Sequence, residues 1–203
     1  MSSLLIKSPP RLINSKSDAR KKIIFRALHD CILSKGYVKT TLADIARESG
    51  MTASHLLYYF RGKEAILEQY FKAVSVLFLR KIAQVSAQPK DKQLELLADC
   101  WFNSEAGTKQ EIGFMLECFG VAVNDDTLLG IKVEFDEKFK LQLTAIMSAI
   151  TASPNPLNET PDNDLAEIVY GLIIGLRSAV YFSTDLSLES AHKLFCRTVR
   201  SLN

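Results

Sequence analysis

From Asp18 onward the apolar residues of this chain recur at helical intervals, and sustained period-two alternation is nearly absent. Without a strand pattern or an Asn-Gly hairpin signal, helices are its means of burying apolar surface. Ile23, Ile24, Ala27, Leu28 and Cys31 fall at i, i+4 spacing up to Lys35-Gly36, where glycine provides a stop. Thr40-Thr41 and Thr52 offer N-caps to two short helices, through Ser49 and to about Tyr59, with Gly50 breaking between them. A long helix from Lys63 carries Ile66, Leu67, Tyr70, Phe71, Val74, Leu77, Phe78 and Ile82, and Pro89 marks its end. The spacing predicts further helices over 90–103 and 109–123, from Asp125-Asp126 to Ile150, and over 162–182 and 188–202. The three prolines of 151–161 form a break. The expected fold is all-α with about nine helices. Its expected parts are a basic arm (1–17), a head of three helices (18–63) and a larger helical body (64–203).

Composition adds little until charge is divided along the chain. With 203 residues, 47% hydrophobic and 24% charged, the chain can build a core without disulfides or metals. Collagen-like, coiled-coil and disordered classes are excluded. The formal net charge of +2 is a cancellation: residues 1–63 carry +8 and the remainder −6. A basic front points to a nucleic-acid-facing module.

Other chemistries find no support. Cys31, Cys100, Cys118 and Cys196 form no CxxC pair, and His29, His55 and His192 are scattered, so no metal centre or cofactor is expected and the cysteines read as reduced and buried. No G-x-S-x-G, P-loop, HExxH or Cys–His pairing appears, and no catalytic residue is assigned. Leu4-Leu5-Ile6 is too short for a secretory signal, which favours a cytoplasmic location. The run Ile168–Phe182, with its Gly171/Gly175 pair and Arg177, is shorter than the roughly 20 residues of a membrane span and reads as a buried helix.

Residues 41–60, TLADIARESGMTASHLLYYF, carry the functional signal. A helix-turn-helix needs a small residue at the helix crossing, a turn admitting left-handed backbone, and an apolar lock. Ala46, Gly50, and the set Ile45, Met51, Leu56 and Tyr59 supply these in order. At about 100° per residue, Thr52, Leu56, Tyr59 and Phe60 cluster on one side of the second helix, with Ser54, Leu57 and Tyr58 opposite and Ala53 and His55 flanking. Leu57 and Tyr58 then have two alternative places. They dock into a major groove, Leu57 against a thymine methyl and Tyr58 at a phosphate, or they pack against the first helix or the 63–85 helix.

Gly36, Thr40-Thr41, Ile45-Ala46, Gly50-Met51-Thr52, Leu56, Tyr58-Tyr59-Phe60 and Gly62-Lys63-Glu64 together resemble the N-terminal signature of the TetR family of transcriptional regulators. The resemblance implies that Thr41 bonds a phosphate and that Ala53, Ser54 and His55 meet base edges. It also implies that Tyr58 and Tyr59 contact the backbone and that Lys63 approaches a phosphate at the start of the fourth helix. Leu57 stands where the family commonly has Tyr, which removes a donor, and Ser54 replaces a frequent Gly.

The resemblance further implies a homodimer built on the last two helices. Leu165, Ile168, Leu172, Gly175, Leu176 and Ala179 form a stripe on one, and Leu188, Ala191, Phe195, Thr198 and Leu202 on the other. Burial within one protomer predicts similar stripes. A ligand pocket among the middle helices has as candidates Trp101, Phe102, Phe114, Met115, Phe119, Phe135, Tyr170 and Arg177. Arg177, the one charge in a strongly apolar helix, either pairs with an acid across the dimer or holds an anionic ligand. The expected function is a ligand-responsive repressor, released from a palindromic double-stranded DNA operator by an unidentified small molecule, with no membrane partner. The alternative is a helical small-molecule binding protein without DNA function.

Overall fold

The computed structural model describes residues 16–103, 108–150 and 162–202. Among these residues the chain is all-α, with nine α-helices and no strand. The helices are α1 (Lys16–Lys35), α2 (Leu42–Glu48), α3 (Ala53–Tyr59), α4 (Lys63–Ser86), α5 (Lys90–Ala98), α6 (Lys109–Ala122), α7 (Asp126–Ile150), α8 (Asp162–Phe182) and α9 (Leu188–Ser201). A π-helical segment, Asp99–Asn103, follows α5. The proline-rich break at 151–161 and residues 1–15 of the expected arm lie outside the described residues; α1 begins at Lys16. Two compact units result. One holds the described residues up to Leu77 with Gly113–Lys132; the other holds Phe78–Ile112 and the described residues from Val133 on.

In the first unit α1 buries Ile24, Ala27, Leu28, Cys31 and Ile32, one side of a helix at i, i+3, i+4, i+7 and i+8. Gly36 ends it with φ of +82°, its N–H reaching the Ile32 carbonyl at 2.8 Å. The positive φ calls for glycine, and a Cβ there would also displace the Glu117 carboxylate, whose Oε1 would lie 2.8 Å away. The next residue, Tyr37, donates its N–H to the Glu117 carboxylate. The core continues through Ile45, Leu56, Phe60, Ile66, Leu67 and Tyr70 and is closed by Cys118, Ala122, Leu128 and Ile131 from α6 and α7. The unit thus takes in more than residues 18–63.

Asp44 organises the start of α2. Thr41 caps the helix: its hydroxyl accepts from the Asp44 N–H at 3.2 Å, and its own N–H donates to Asp44 Oδ2 at 2.9 Å, a reciprocal capping box. The Thr41 hydroxyl also donates to Asp44 Oδ2 at 2.6 Å, Arg47 donates to Oδ1 at 2.8 Å, and the Lys35 ammonium closes on the same carboxylate. A largely buried carboxylate therefore ties the end of α1 to the first turn of α2. Lys35 above all, then Thr41, holds its carboxyl well below the usual carboxylate range.

The second unit is built on α7, whose Phe139, Leu143, Ile146 and Met147 are fully buried, with α8 and α9 contributing Leu165, Val169, Ile173, Phe195 and Val199. Gln93, itself buried, donates to the carbonyls of Ser86 (3.1 Å) and Gln88 (2.8 Å) and so fixes the turn between α4 and α5. The continuous helix expected over 90–103 instead widens into the π-helical segment after Ala98. Three successive residues, Cys100, Trp101 and Phe102, are all buried there. Trp101 meets Phe78 and Phe139, while Phe102 meets Phe195 of α9. All four cysteines are buried and no disulfide links them.

Within α8, Asp164–Phe182 is long and apolar enough to cross a membrane by length and composition, beyond the shorter run visible from Ile168. Its buried side packs on α9 and the π-helical segment, with Arg177 only 2% exposed, as in the core helix of a globular unit.

Replacing Asp44 with Asn is expected to destabilise the first unit at neutral pH. Because the folded carboxyl titrates below its unfolded value of about 3.9, its contribution is present above that pH and fades as pH falls further. Denaturant unfolding of the native chain and the Asp44→Asn variant should therefore differ at pH 7 and converge below about pH 4. A gap independent of pH would remove the carboxylate charge as the cause.

Candidate nucleic-acid interface

The geometry of α3 follows from the turn before it. Gly50 adopts φ of +67°, which lets the Met51 N–H return to the Ala46 carbonyl at 2.9 Å. Ala46, 4% exposed, gives α3 room to cross α2. Thr52 then caps α3 by accepting from the His55 N–H at 3.2 Å. It remains exposed, so its role is the cap and not the inner face expected from its angle.

The two sides of α3 are sharply divided. Leu56 is 0% and Phe60 3% exposed, sealed in the core, whereas Leu57 is 53% and Tyr58 81% exposed. Among the described residues, neither Leu57 nor Tyr58 is buried against another helix. Ala53 and Ser54 are exposed beside them, and His55 and Tyr59 are half-buried. The Tyr59 ring lies 5.4 Å from His55 and 5.1 Å edge-on from Tyr58, so the aromatic groups of α3 support one another.

Thr41 and Lys63 are held by partners that sequence did not suggest. Both donors of Thr41, the backbone N–H and the hydroxyl, point at Asp44. Lys63 donates to the Tyr37 carbonyl at 3.0 Å and lies 4.1 Å from the centre of the Tyr37 ring. An ammonium has three donors, so this anchoring leaves Lys63 chemically able to meet a phosphate as well. Glu117, through the Tyr37 N–H, is the remote residue that steadies this corner.

The ligand candidates divide between the units. Phe114 packs on His29 (4.5 Å) and Tyr70 (5.7 Å), and Phe119 lies beneath Lys132; both, with Met115, belong to the first unit. Trp101, Phe135 and Tyr170 stay together in the second, joined by Phe78 and Phe139, which the helical spacing marks only as core. Phe102 faces Phe195 instead. The buried indole N–H of Trp101 has no acceptor among the described residues. Burial, then Asp136, pushes the Tyr170 phenol above its ordinary value.

Arg177 lies within the protomer core and donates to the Trp101 carbonyl at 2.7 Å, its guanidinium 5.3 Å from the Trp101 ring. One partner of Arg177 is thus a carbonyl of its own chain. Burial pulls its pKa down to about 10, with Glu111 opposing, so it stays charged at neutral pH.

The stripes on α8 and α9 straddle the edge of the core. Leu165, Leu176, Ala191 and Phe195 are buried within the unit, while Leu172, Leu188, Thr198 and Leu202 are half-buried. Ile168, Gly175 and Ala179 are exposed. Ile168 and Gly175 lie about 60–80° around α8 from Leu165, enough to carry them out of the core. With Gly171 and Phe182 (75% exposed) they form a continuous apolar outer face.

Comparison with known proteins bears on both units. Residues 24–70 match the family model for bacterial regulatory proteins of the tetR family. No curated protein matches the chain. Among solved structures, similarity extends to a transcriptional regulator from Saccharomonospora viridis in complex with choline (TM-score 0.79, 17% identity, 91% of this chain and 97% of that one). A TetR transcription regulator from Haloarcula marismortui is also similar (TM-score 0.76, 17% identity, 91% and 96%). So is the fatty acid degradation regulator FadR from Bacillus halodurans (TM-score 0.73, 18% identity, 93% and 96%). At these identities the structures speak for the fold alone, and the family model speaks for the head. Both lead the same way: residues 24–70 carry the helix-turn-helix, DNA-binding head of the tetR bacterial regulatory proteins, and the chain as a whole has the fold of TetR transcriptional regulators.

Proposed function

We propose that this regulator is a cytoplasmic, homodimeric repressor that leaves a palindromic operator when a small molecule binds its second unit. The observation that carries the DNA reading is the exposure of Leu57 and Tyr58 beside sealed Leu56 and Phe60. An apolar and an aromatic side chain held out on a short helix suit a surface that is covered by DNA when it works. In this reading Ala53, Ser54 and His55 meet base edges and Leu57 touches a thymine methyl. Tyr58, Tyr59 and Lys63 hold phosphates, and Thr41 acts chiefly by setting the start of α2.

Two recognition helices must reach half-sites about one helical turn apart, or a multiple of that. The apolar outer face of α8, with Ile168, Gly171, Gly175, Ala179 and Phe182, is our candidate for the two-fold contact that joins them. Release by a ligand requires that the ligand prefer a dimer state with lower operator affinity.

For the effector, support comes from the aromatic group of Phe78, Trp101, Phe135, Phe139 and Tyr170. A buried Trp101 N–H lacking an acceptor costs about 1–3 kcal/mol. A ligand with an apolar body and an anionic acceptor would relieve that cost beside the charge of Arg177. Two of the similar structures concern small molecules, choline in one and fatty acid degradation in the other. The charge here favours an acid over a quaternary ammonium.

Three outcomes are expected. Gel shifts on DNA upstream of the chain's own gene should show affinity falling steeply with salt, about 0.9 log units per log unit of salt for each neutralised phosphate. There Tyr58→Phe should weaken all sites alike, by roughly 2–10-fold for one lost hydrogen bond of about 0.5–1.5 kcal/mol, whereas His55→Ala should alter preference among sites. Binding indifferent to salt and sequence would sink the reading. A Cβ at Gly175 meets nothing within 4 Å in the protomer, so Gly175→Leu should preserve folding yet dissociate the dimer in sedimentation. Finally, Trp101 is the chain's one tryptophan, and its fluorescence should change on titration with laurate and not with choline; the converse would overturn the charge argument.

A further inference from the structure

Helix α9 carries His192 and Cys196 four residues apart, on one side of the helix. The α5–π-helical stretch against which α9 packs carries Glu95 and Asp99 at the same interval. Glu95 meets both His192 and Cys196, and Asp99 meets His192. His192 Nε2 lies 3.0 Å from Asp99 Oδ1 and 3.9 Å from Glu95 Oε2, and Cys196 Sγ lies 3.5 Å from that same oxygen. The donor atoms of Glu95, His192 and Cys196 all fall within 4.8 Å of one another. Ligand bonds of about 2.0–2.3 Å around a tetrahedral zinc ion place its donors roughly 3.3–3.8 Å apart. We propose that Glu95, His192 and Cys196, with Asp99 beside the histidine, form a binding site for a divalent transition-metal ion of the zinc class.

The donor set selects the metal. Thiolate and imidazole suit zinc and its neighbours, whereas magnesium and calcium ask for oxygen alone. The surroundings are those of a supported site. Arg200 holds the other oxygen of Glu95, Oε1, which turns Oε2 toward the cysteine and histidine. Asn103 donates to Asp99 Oδ1 at 2.8 Å. Such outer contacts orient ligands and tune their affinity. Charge also closes: the dication and Arg200 balance Glu95, Asp99 and a Cys196 thiolate, the thiol proton leaving to solvent. Cys196 is buried and His192 half-buried, while Glu95 and Asp99 are partly open to solvent, which gives an ion a way in.

Sequence alone hid this site. Its ligand pairs are not close CxxC units but single helical turns about 95 residues apart in the chain. Bound metal would join α9 to the segment that carries Trp101 and Phe102.

The test uses the full chain, stripped with a chelator and titrated with cobalt(II). The expected result is one equivalent bound, with a thiolate-to-cobalt charge-transfer band in the near ultraviolet and visible bands of tetrahedral intensity. Zinc should displace the cobalt and raise the melting temperature. Cys196→Ser should lose the charge-transfer band and Cys118→Ala should keep it. His192→Gln and Glu95→Gln, which preserve size, should weaken cobalt binding at least tenfold with helical content unchanged. No band in the native chain, a band retained by Cys196→Ser, or unaltered affinity in both the His192 and Glu95 variants would overturn the proposal.

Discussion

Two seven-residue helices do not stay folded on their own hydrogen bonds. Helices that short are marginal in water, so α2 and α3 take their geometry from what surrounds them. The Asp44 carboxylate is the first support, since it gathers Lys35, Thr41 and Arg47 and thereby sets where α2 begins. The second is apolar. Full burial of a leucine contributes about 1.5–3 kcal/mol, and Leu56, with Phe60, holds α3 by its inner side. What this leaves outside is equally determined: once Leu56 is inside, Leu57 and Tyr58 must face water or a partner. The exposed face of α3 is thus set by a packing decision made on the opposite side of the helix.

The second unit meets a different difficulty, a buried charge. Arg177 sits in a helix otherwise apolar enough to cross a membrane, and it is accommodated by the Trp101 carbonyl and ring. The π-helical segment presents that carbonyl inward. The same helix α8 is apolar on both sides, one filling the core and the other exposed through Ile168, Gly175, Ala179 and Phe182. A two-sided apolar helix explains why its stripe reads equally well as protomer core and as contact between protomers.

What could be read from sequence was local. The caps at Thr41 and Thr52, the stop at Gly36, the turn at Gly50 and the division of α3 into Leu56 against Leu57 and Tyr58 all depend on residues within a few positions of one another. What could not be read joins distant residues. Glu117 holds the Tyr37 N–H across 80 positions, and Arg177 finds the Trp101 carbonyl across 76. Aromatic candidates chosen by type alone split between units, because Phe114 and Phe119 serve the first unit's packing as readily as any pocket. Positions about 60–80° apart on α8 share one apolar repeat, so periodicity does not separate those buried in the protomer from those left exposed. Nor does a π-turn announce itself: Lys90–Asn103 carries ordinary helical spacing up to the point where three successive residues all find burial.

That widened turn has a consequence for how the segment is packed. A π-turn closes its hydrogen bonds one residue later than an α-turn, as though a single residue had been inserted into an older helix. The widening lets three successive side chains, Cys100, Trp101 and Phe102, all be buried. Deleting one residue there would restore the regular ladder, but one fewer side chain would remain to meet both Phe139 and Phe195. The irregularity is thus what lets a single short segment serve two neighbours at once.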